Sequence, residues 1–305
     1  MGQRTMLVTA HTGRADAVRS AKLVTQRLTD AGIAVRTITG ELTCPGAEEV
    51  PASADAADGA ELVIVLGGDG SLLRGAELSR PAQVPLIGVN LGHVGFLAEA
   101  EPDGLADLVE RAVARQYTVE ERMTIDVTVR SNGSAIVSTW ALNEATVEKA
   151  ARERMVEVIT EVDGRPLSRW GCDGVVCSTP TGSTAYAFSA GGPVVWPEVE
   201  ALLMVPISAH ALFAPPMVVS PQSVLAVELI AGHDTSGAVL WCDGRRKVDL
   251  PPGARVEVRR GALPVLLARL QGPGPAGFTD RLVAKFGLPV TGWRGRTRED
   301  TGEHA

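Results

Sequence analysis

Four short apolar runs punctuate the first third of the chain: TMLVTA from Thr5, AVRTI from Ala34, LVIVL from Leu62 and PLIGVN from Pro85. Each is nearly continuous in apolar residues and stops at Gly, Pro or a polar side chain, the pattern of strands in a parallel sheet covered on both faces. Helical spacing fills the gaps and predicts helices over about 16–30, 71–78 and 103–115. Strand and helix thus alternate as an open α/β unit.

After Tyr117 the period changes. TIDVTVR puts Ile125, Val127 and Val129 on one face and Asp126, Thr128 and Arg130 on the other, and MVEVITEV and RVEVRR alternate in the same way. Asn132-Gly133, Asp163-Gly164 and Asp243-Gly244 separate such runs as hairpin turns. The expected organisation is an α/β domain over 1–117, a β-rich domain over 118–277 and a closing segment, 278–305, that packs back on the first domain. FTDRLVAKF, with a Thr-Asp capping signal, makes the start of that segment helical.

Composition narrows the class. At 305 residues, 45% hydrophobic and 21% charged, the chain can bury two ordinary soluble cores. A net charge of −7 without a Lys/Arg block argues against a nucleic-acid partner; Arg245, Arg246 and Lys247 read as a solvated turn. No apolar window reaches the length of a membrane span, and the run before His11 is too short for a signal peptide. Four cysteines without a CxxC pair fit a reduced cytoplasm better than a zinc site or disulfide framework, and Cys172 and Cys177 read as small packing residues.

Two segments carry candidate chemistry. Gly67, Gly68 and Gly70 surround Asp69 on a loop at the carboxyl end of LVIVL, where ligands bind in open α/β sheets. Glycines let a phosphate approach backbone N–H groups, and a following helix start favours an anion. A carboxylate there is repelled by phosphates unless it holds a metal or takes a proton from an attacking hydroxyl, which are roles in phosphoryl transfer. The alternative is a tight turn with Asp69 as its local acceptor. Further on, TPTGSTAYAFSAGGP crowds Thr179, Thr181, Ser183, Thr184 and Tyr186 around Gly182, and such hydroxyls can bond ribose and phosphate oxygens without adding charge. The pair Asn143-Glu144, taken alone, reads as a strand edge or a turn. His210 reads as a structural histidine, and His93 as either a surface residue or a neighbour of phosphate.

These blocks, in this order, resemble the NAD kinase family over nearly the whole chain: GGDGS at Gly67, NxGxxGFL at Asn90 to Leu97, Asn143-Glu144, Asp173-Gly174, TPTGSTAY at Thr179, SAGGP at Ser189 and CDGR at Cys242. GGDG alone is shared with phosphofructokinases and diacylglycerol-type lipid kinases; the joint pattern is specific, and FTDRLVAKFGLPVTGWRG looks actinobacterial. The resemblance implies a Rossmann-like N-terminal domain, a β-rich C-terminal domain and transfer of the γ-phosphoryl group of ATP, or of polyphosphate, to the 2′-hydroxyl of NAD. It implies a divalent metal, magnesium, accompanying ATP, and a homo-oligomer, dimer or tetramer. By the same resemblance Asp69 is the general base, and Gly67, Gly68, Gly70 and Arg74 lie along the phosphates. Asn143 and Glu144 contact ribose or base; Asp173, Thr181, Thr184, Ala185, Tyr186 and Ser189 frame the dinucleotide; Arg154 and Arg245 complete the nucleotide-binding set. The chain departs from the family at Pro215, where many members carry arginine, and at Gly171, where some carry a basic residue. A kinase of a sugar or lipid hydroxyl, and a nucleotide sensor without turnover, are the rival readings.

Overall fold

The computed structural model describes residues 3–91, 95–98, 104–151, 154–230, 237–270 and 277–289. It divides into two compact units, one of residues 1–119 with 268–305 and the other of residues 120–267. Residues 268–270, assigned above to the β-rich domain, belong to the first unit because they continue a strand of its sheet.

In the first unit the chain runs β1 (Thr5–Ala10), α1 (Ala15–Asp30), β2 (Ala34–Ile38), β3 (Glu48–Val50), β4 (Leu62–Leu66), α2 (Asp69–Ala82), β5 (Leu86–Val89), α3 (Leu105–Val113) and β6 (Tyr117–Arg122). The later strand Val265–Leu270 inserts between β5 and β6, and the remaining order is β3-β2-β1-β4-β5. The pairs β2–β3, β1–β2, β1–β4 and β4–β5 are parallel. Because β1 leads away to β2 on one side while β4 lies on the other, the chain reverses its winding between β1 and β4, the position where open α/β sheets leave a crevice at their carboxyl ends. All five residues of β4 are buried, which is why LVIVL has no polar alternation.

Helix α2 comes unusually close to this sheet. A Cβ on Gly75 would fall 2.4 Å from Val65 Cγ2, and one on Gly88 of β5 would fall 2.5 Å from Leu72 Cδ2. Two absent side chains therefore set the height of α2 above β4 and β5, and with it the position of the helix's first residue. That residue is Asp69, not a loop residue ahead of a helix beginning at Ser71. Gly68, extended at φ −84° and ψ −172°, acts as N-cap, and an acid in the first turn is favoured by the helix dipole.

The second unit is built from antiparallel strands: β7 (Ile125–Ser131), β8 (Ser134–Ala141), β9 (Glu144–Lys149), β10 (Val156–Val162), β11 (Arg165–Cys172), β12 (Gly174–Ser178), β13 (Leu202–Ile207), β14 (Met217–Val219), β15 (Leu225–Leu229), β16 (Ala238–Cys242), β17 (Arg246–Leu250) and β18 (Arg255–Arg260). They form two six-stranded sheets, β11-β10-β15-β18-β7-β8 and β14-β13-β12-β9-β16-β17. Ile125, Val127, Val129, Val158 and Val256 from the first sheet share one core with Val175, Leu202, Met204 and Leu240 from the second. The fully buried Trp170 joins them, its Nε1 donating to Phe213 O at 2.9 Å. The hydroxyl-rich segment is no strand: Thr181–Thr184 forms a 3-10 turn and α4 (Tyr186–Ser189) a single helical turn.

Asn132-Gly133 and Asp163-Gly164 are two-residue hairpin turns, with φ of 50° and 79° in the first and 53° and 73° in the second. Asp243-Gly244 belongs to a three-residue connection, since Cys242 pairs with Arg246. Its aspartate is buried where Asn132 and Asp163 are exposed.

Packing at α2 yields a measurable expectation. Gly75→Ala destabilises the protein by about 1–3 kcal/mol through overpacking against Val65, lowering the thermal midpoint by several degrees. Gly70→Ala, whose Cβ meets nothing within 4 Å, leaves the midpoint unchanged or slightly raised. Equal midpoints for the two variants in a thermal melt contradict the close approach.

Candidate functional site

Two groups of polar residues stand out, one in each unit. In the first, β4 ends against its neighbours through His11 N to Leu66 O at 2.9 Å and Gly67 N to Val89 O at 3.0 Å. The chain then turns sharply at Gly67, φ 154°, where a Cβ would lie 2.3 Å from Ser71 Oγ. Helix α2 starts without a side-chain cap, so its first N–H groups have no side-chain acceptor, the arrangement that receives anions.

Asp69 is half-buried. Its Oδ2 accepts from Phe96 N and its Oδ1 from Leu97 N, both at 3.4 Å. A Cβ on Gly95 would sit 2.3 Å from Asp69 Oδ1, so a larger residue here would displace the carboxylate. Thus the glycine-phenylalanine end of the NxGxxGFL segment orients the carboxylate with two long hydrogen bonds, leaving lone pairs to accept a proton. His93 lies outside the described residues. Phe96 is itself held by helix Phe278–Phe286: its ring centroid is 5.6 Å from that of Phe278 and 6.2 Å from that of Phe286, and Arg281 Nη1 donates to Phe96 O at 3.0 Å. Gly68 is half-buried and Gly70 exposed. Arg74 has its guanidinium on Glu41 at 3.0 Å and Glu77 at 3.1 Å, so any phosphate contact requires exchange of these partners.

In the second unit, Asn143 and Glu144 are buried at the start of β9, which has β12 on one side and β16 on the other. The pair is therefore interior and not at an edge. Asp243 accepts the backbone N–H of Leu142 at 3.0 Å and of Asn143 at 2.7 Å, and Arg246 Nη2 at 2.7 Å. Arg246 also stacks over the Trp140 ring at 4.6 Å. The Asn143 carbonyl in turn accepts Thr179 N at 2.9 Å and Ser178 Oγ at 3.0 Å, and a Cβ on Gly182 would fall 2.1 Å from it. Gly182 is thus the residue that lets the hydroxyl-rich turn lie directly on the Asn143-Glu144 backbone.

Several of the crowded hydroxyls hold this turn together. Thr179 Oγ1 donates to Leu142 O at 2.6 Å and accepts Gly182 N at 3.1 Å; Ser183 Oγ donates to Val195 O at 3.1 Å and accepts Val195 N at 2.9 Å; Thr184 Oγ1 donates to Thr181 O at 3.3 Å. What remains towards solvent is half-buried Thr184 and Ala185 with exposed Tyr186 and Ser189, while Thr181 is buried.

Tyr186 links two charge clusters. Its backbone N–H lies near the Glu144 carboxyl and its phenol near Glu148. Burial, with the Asp243 charge beside it, pushes the Glu144 carboxyl up to about 8. Burial also raises Asp243, although three donors and a guanidinium oppose it, and raises Glu148 and the Tyr186 phenol. Lys149 Nζ bonds the Asp173 carboxylate and, with Ser208 and His210, holds it below the usual carboxylate range. His210 is exposed, with its backbone N donating to Gly171 O at 2.8 Å, so it is not a buried structural histidine.

Arg154 and Arg245 are exposed, as is Pro215. Arg246, one residue beyond the arginine singled out from CDGR, is the one that meets Asp243. Asp243, Arg246, Glu148 and Lys149 do not stand out in the sequence; the CDGR block holds Asp243 and ends one residue before Arg246, but its turn signal hides that this aspartate points inward. Among the described residues no group of three or more His, Cys, Asp or Glu could cage a metal ion. No helix of the described residues is long and apolar enough to cross a membrane.

Comparison with known proteins assigns both halves. The model of the ATP-NAD kinase N-terminal domain matches residues 8–117 and that of the ATP-NAD kinase C-terminal domain residues 142–270. The chain is 62% identical to NAD kinase of Thermobifida fusca, covering 98% of this chain and 94% of that protein, and 65% identical to NAD kinase 2 of Streptomyces coelicolor, covering 96% and 97%. Among solved structures it is similar to an NAD kinase from Archaeoglobus fulgidus in complex with ATP, with TM-score 0.68 and 26% identity over 93% of this chain and 97% of that one. Yeast NADH kinase complexed with NADH shares the fold, with TM-score 0.82 and 21% identity over 97% and 89%. With both domain models matched in order and relatives this similar along almost its full length, the chain belongs to the ATP-NAD kinase family.

Proposed function

We infer that this ATP-NAD kinase converts NAD to NADP by passing the γ-phosphoryl group of ATP to the 2′-hydroxyl of the adenosine ribose, with Asp69 as the base that takes the hydroxyl proton. The observation that carries the role of Asp69 is its placement: first residue of α2, beside the uncapped N–H groups, with its carboxylate oriented by long bonds from Phe96 and Leu97. By contrast the carboxylate of the hairpin residue Asp163 is tied down by shorter bonds, from Val224 N at 2.8 Å and Ser223 Oγ at 3.1 Å. The relative's complex with ATP supports a nucleoside triphosphate as donor.

Phosphoryl transfer needs positioning and charge neutralisation more than covalent chemistry. The glycine-lined start of α2 gives phosphates backbone donors and a positive helix end. In the second unit, Asn143, Glu144, Asp173, Thr181, Thr184, Ala185, Tyr186 and Ser189 form the dinucleotide-recognising set, and the rigid support under it is the Asp243–Arg246 pair. Magnesium arriving on the triphosphate would supply charge neutralisation there; such ions keep few protein ligands. Four free, buried cysteines fit a cytoplasmic enzyme. Exposed Leu212, Phe213 and Val218, close together in sequence, support a homo-oligomer.

Asp69→Asn keeps size and most hydrogen bonding but cannot take the ribose proton. It lowers kcat by roughly 10² or more while NAD affinity by calorimetry and the thermal midpoint stay near wild type. Turnover close to wild type removes Asp69 from the role of base. For assembly, light scattering at micromolar concentration returns a mass at least twice 31.9 kDa; a monomer mass across that range refutes the oligomer.

A further inference from the structure

The segment that orients Asp69 is itself held from behind. Phe96 and Leu97, both buried, donate their N–H groups to the Asp69 carboxylate, and the Phe96 carbonyl belongs to the same peptide unit as the Leu97 N–H. A trans peptide is planar and places its C=O and N–H on opposite edges, so fixing one group fixes the direction of the other. Arg281 Nη1 donates to the Phe96 carbonyl at 3.0 Å. On the next peptide, Arg269 Nη1, from the strand Val265–Leu270, donates to the Leu97 carbonyl at 3.4 Å. Arg281 thus grips the far edge of the peptide whose near edge meets Asp69, and Arg269 steadies the peptide that follows.

Arg281 reaches this peptide from α5 (Phe278–Phe286). No residue of that helix is buried, so it adds little to the hydrophobic core. Its half-buried residues are Phe278, Arg281, Leu282, Val283 and Phe286, and the two phenylalanines set their rings 5.6 Å and 6.2 Å from the Phe96 ring. The helix therefore meets Phe96 twice, by ring contact with its side chain and by a charged donor on its carbonyl. Side chain and main chain of one residue are held by one element.

On the reading that Asp69 is the base, we propose that Arg281 is a positioning residue for phosphoryl transfer: it holds the Phe96–Leu97 peptide so that the Leu97 N–H keeps the Asp69 carboxylate in one orientation. The bonds to that carboxylate are long, 3.4 Å each, and a long bond directs its acceptor only as well as its donor is fixed. A cationic donor on the carbonyl also polarises the peptide and strengthens the N–H on its other edge. A base must present a lone pair within hydrogen-bond reach of the proton it takes, and a misplacement of about 1 Å costs on the order of 10² in rate. Arg281 acts through the peptide, so its effect falls on the chemical step and not on the binding of NAD or ATP.

Steady-state kinetics of four proteins test this: wild type, Arg281→Ala, Asp69→Asn and the double variant. Alanine is a good helix former, and α5 has no buried residue, so Arg281→Ala keeps a thermal midpoint within a few degrees of wild type. Its kcat falls by about tenfold while KM for NAD and for ATP stays within about twofold. Arg281→Lys, which returns a cationic donor for this single bond to a carbonyl, recovers most of the lost turnover. In the Asp69→Asn background the loss of Arg281 lowers kcat by less than about twofold, because no base is left to orient. A merely structural role would lower kcat equally in both backgrounds, and that result overturns the inference, as does an unchanged kcat in Arg281→Ala. Should Arg281→Ala fail to melt cooperatively, Arg281→Gln, with a neutral donor on a similar stem, is read in its place, and wild-type kcat there is equally fatal. Wild-type turnover in Asp69→Asn would instead remove the reading of Asp69 as base, so the two failures are distinguishable.

Discussion

The carboxylate of Asp243 fixes the second unit's polar site. Buried beside β9, it binds the backbone amides of Leu142 and Asn143 and the guanidinium of Arg246. Charge-assisted bonds of this kind are short and directional, and removing one partner of a buried pair leaves the other charge stranded. Because Asp243 holds the amides, the Asn143 carbonyl points to the other side, where Thr179 N, Ser178 Oγ and the bare face of Gly182 meet it. The turn from Thr181 to Thr184 and the start of α4 inherit their position from that carbonyl, so a chain of neighbouring contacts runs from one aspartate to the hydroxyl-rich turn.

The first unit reaches a similar end by subtraction. Gly75 and Gly88 let α2 settle on β4 and β5, Gly67 lets the chain turn under Ser71, and Gly95 makes room for the Asp69 carboxylate. The Asp69 carboxylate there accepts long bonds, at 3.4 Å, from Phe96 N and Leu97 N. Asp243, by contrast, is wrapped in short bonds from two amides and a guanidinium and serves as a fixed strut.

Much of this was legible in the chain itself. Continuous apolar runs marked the parallel strands because both faces of β4 and its neighbours are covered, and alternation marked the antiparallel ones because Ile125, Val127 and Val129 face a core while Asp126, Thr128 and Arg130 do not. The motif around Asp69 was readable from its glycines. The start of α2 was misjudged by two residues because glycine at 68 and 70 depresses helical propensity, while the dipole and the sheet below decide the matter. Asp243 and Arg246 escaped notice for a different reason. An Asp-Gly pair announces a turn equally well at Asp163, which is exposed, and at Asp243, which is not; only long-range pairing of β16 with β9 carries the second inward. Lys149 and Asp173 are likewise distant in sequence and adjacent only because β9 and β12 are neighbours. The hydroxyl-rich segment was correctly seen as exceptional, yet which of its hydroxyls are internal could not be read from composition, since Thr179 and Ser183 differ from Thr184 only in what lies opposite them.

The four cysteines have a consequence of their own. All are buried and unbonded, and burial pushes the thiols of Cys172, Cys177 and Cys242 up to about 12. At neutral pH such sulfurs hold thiolate at a level on the order of one part in 10⁵, and the thiolate is the form that alkylating reagents and peroxides attack. In the folded protein these atoms are chemically silent. A thiol reagent reaches them only when the surrounding structure opens, so the rate at which each sulfur is labelled becomes a local clock for breathing of the segment that carries it. Cys44 reports in this way on the first unit and the other three on the second, giving each half of the molecule its own native probe of transient unfolding.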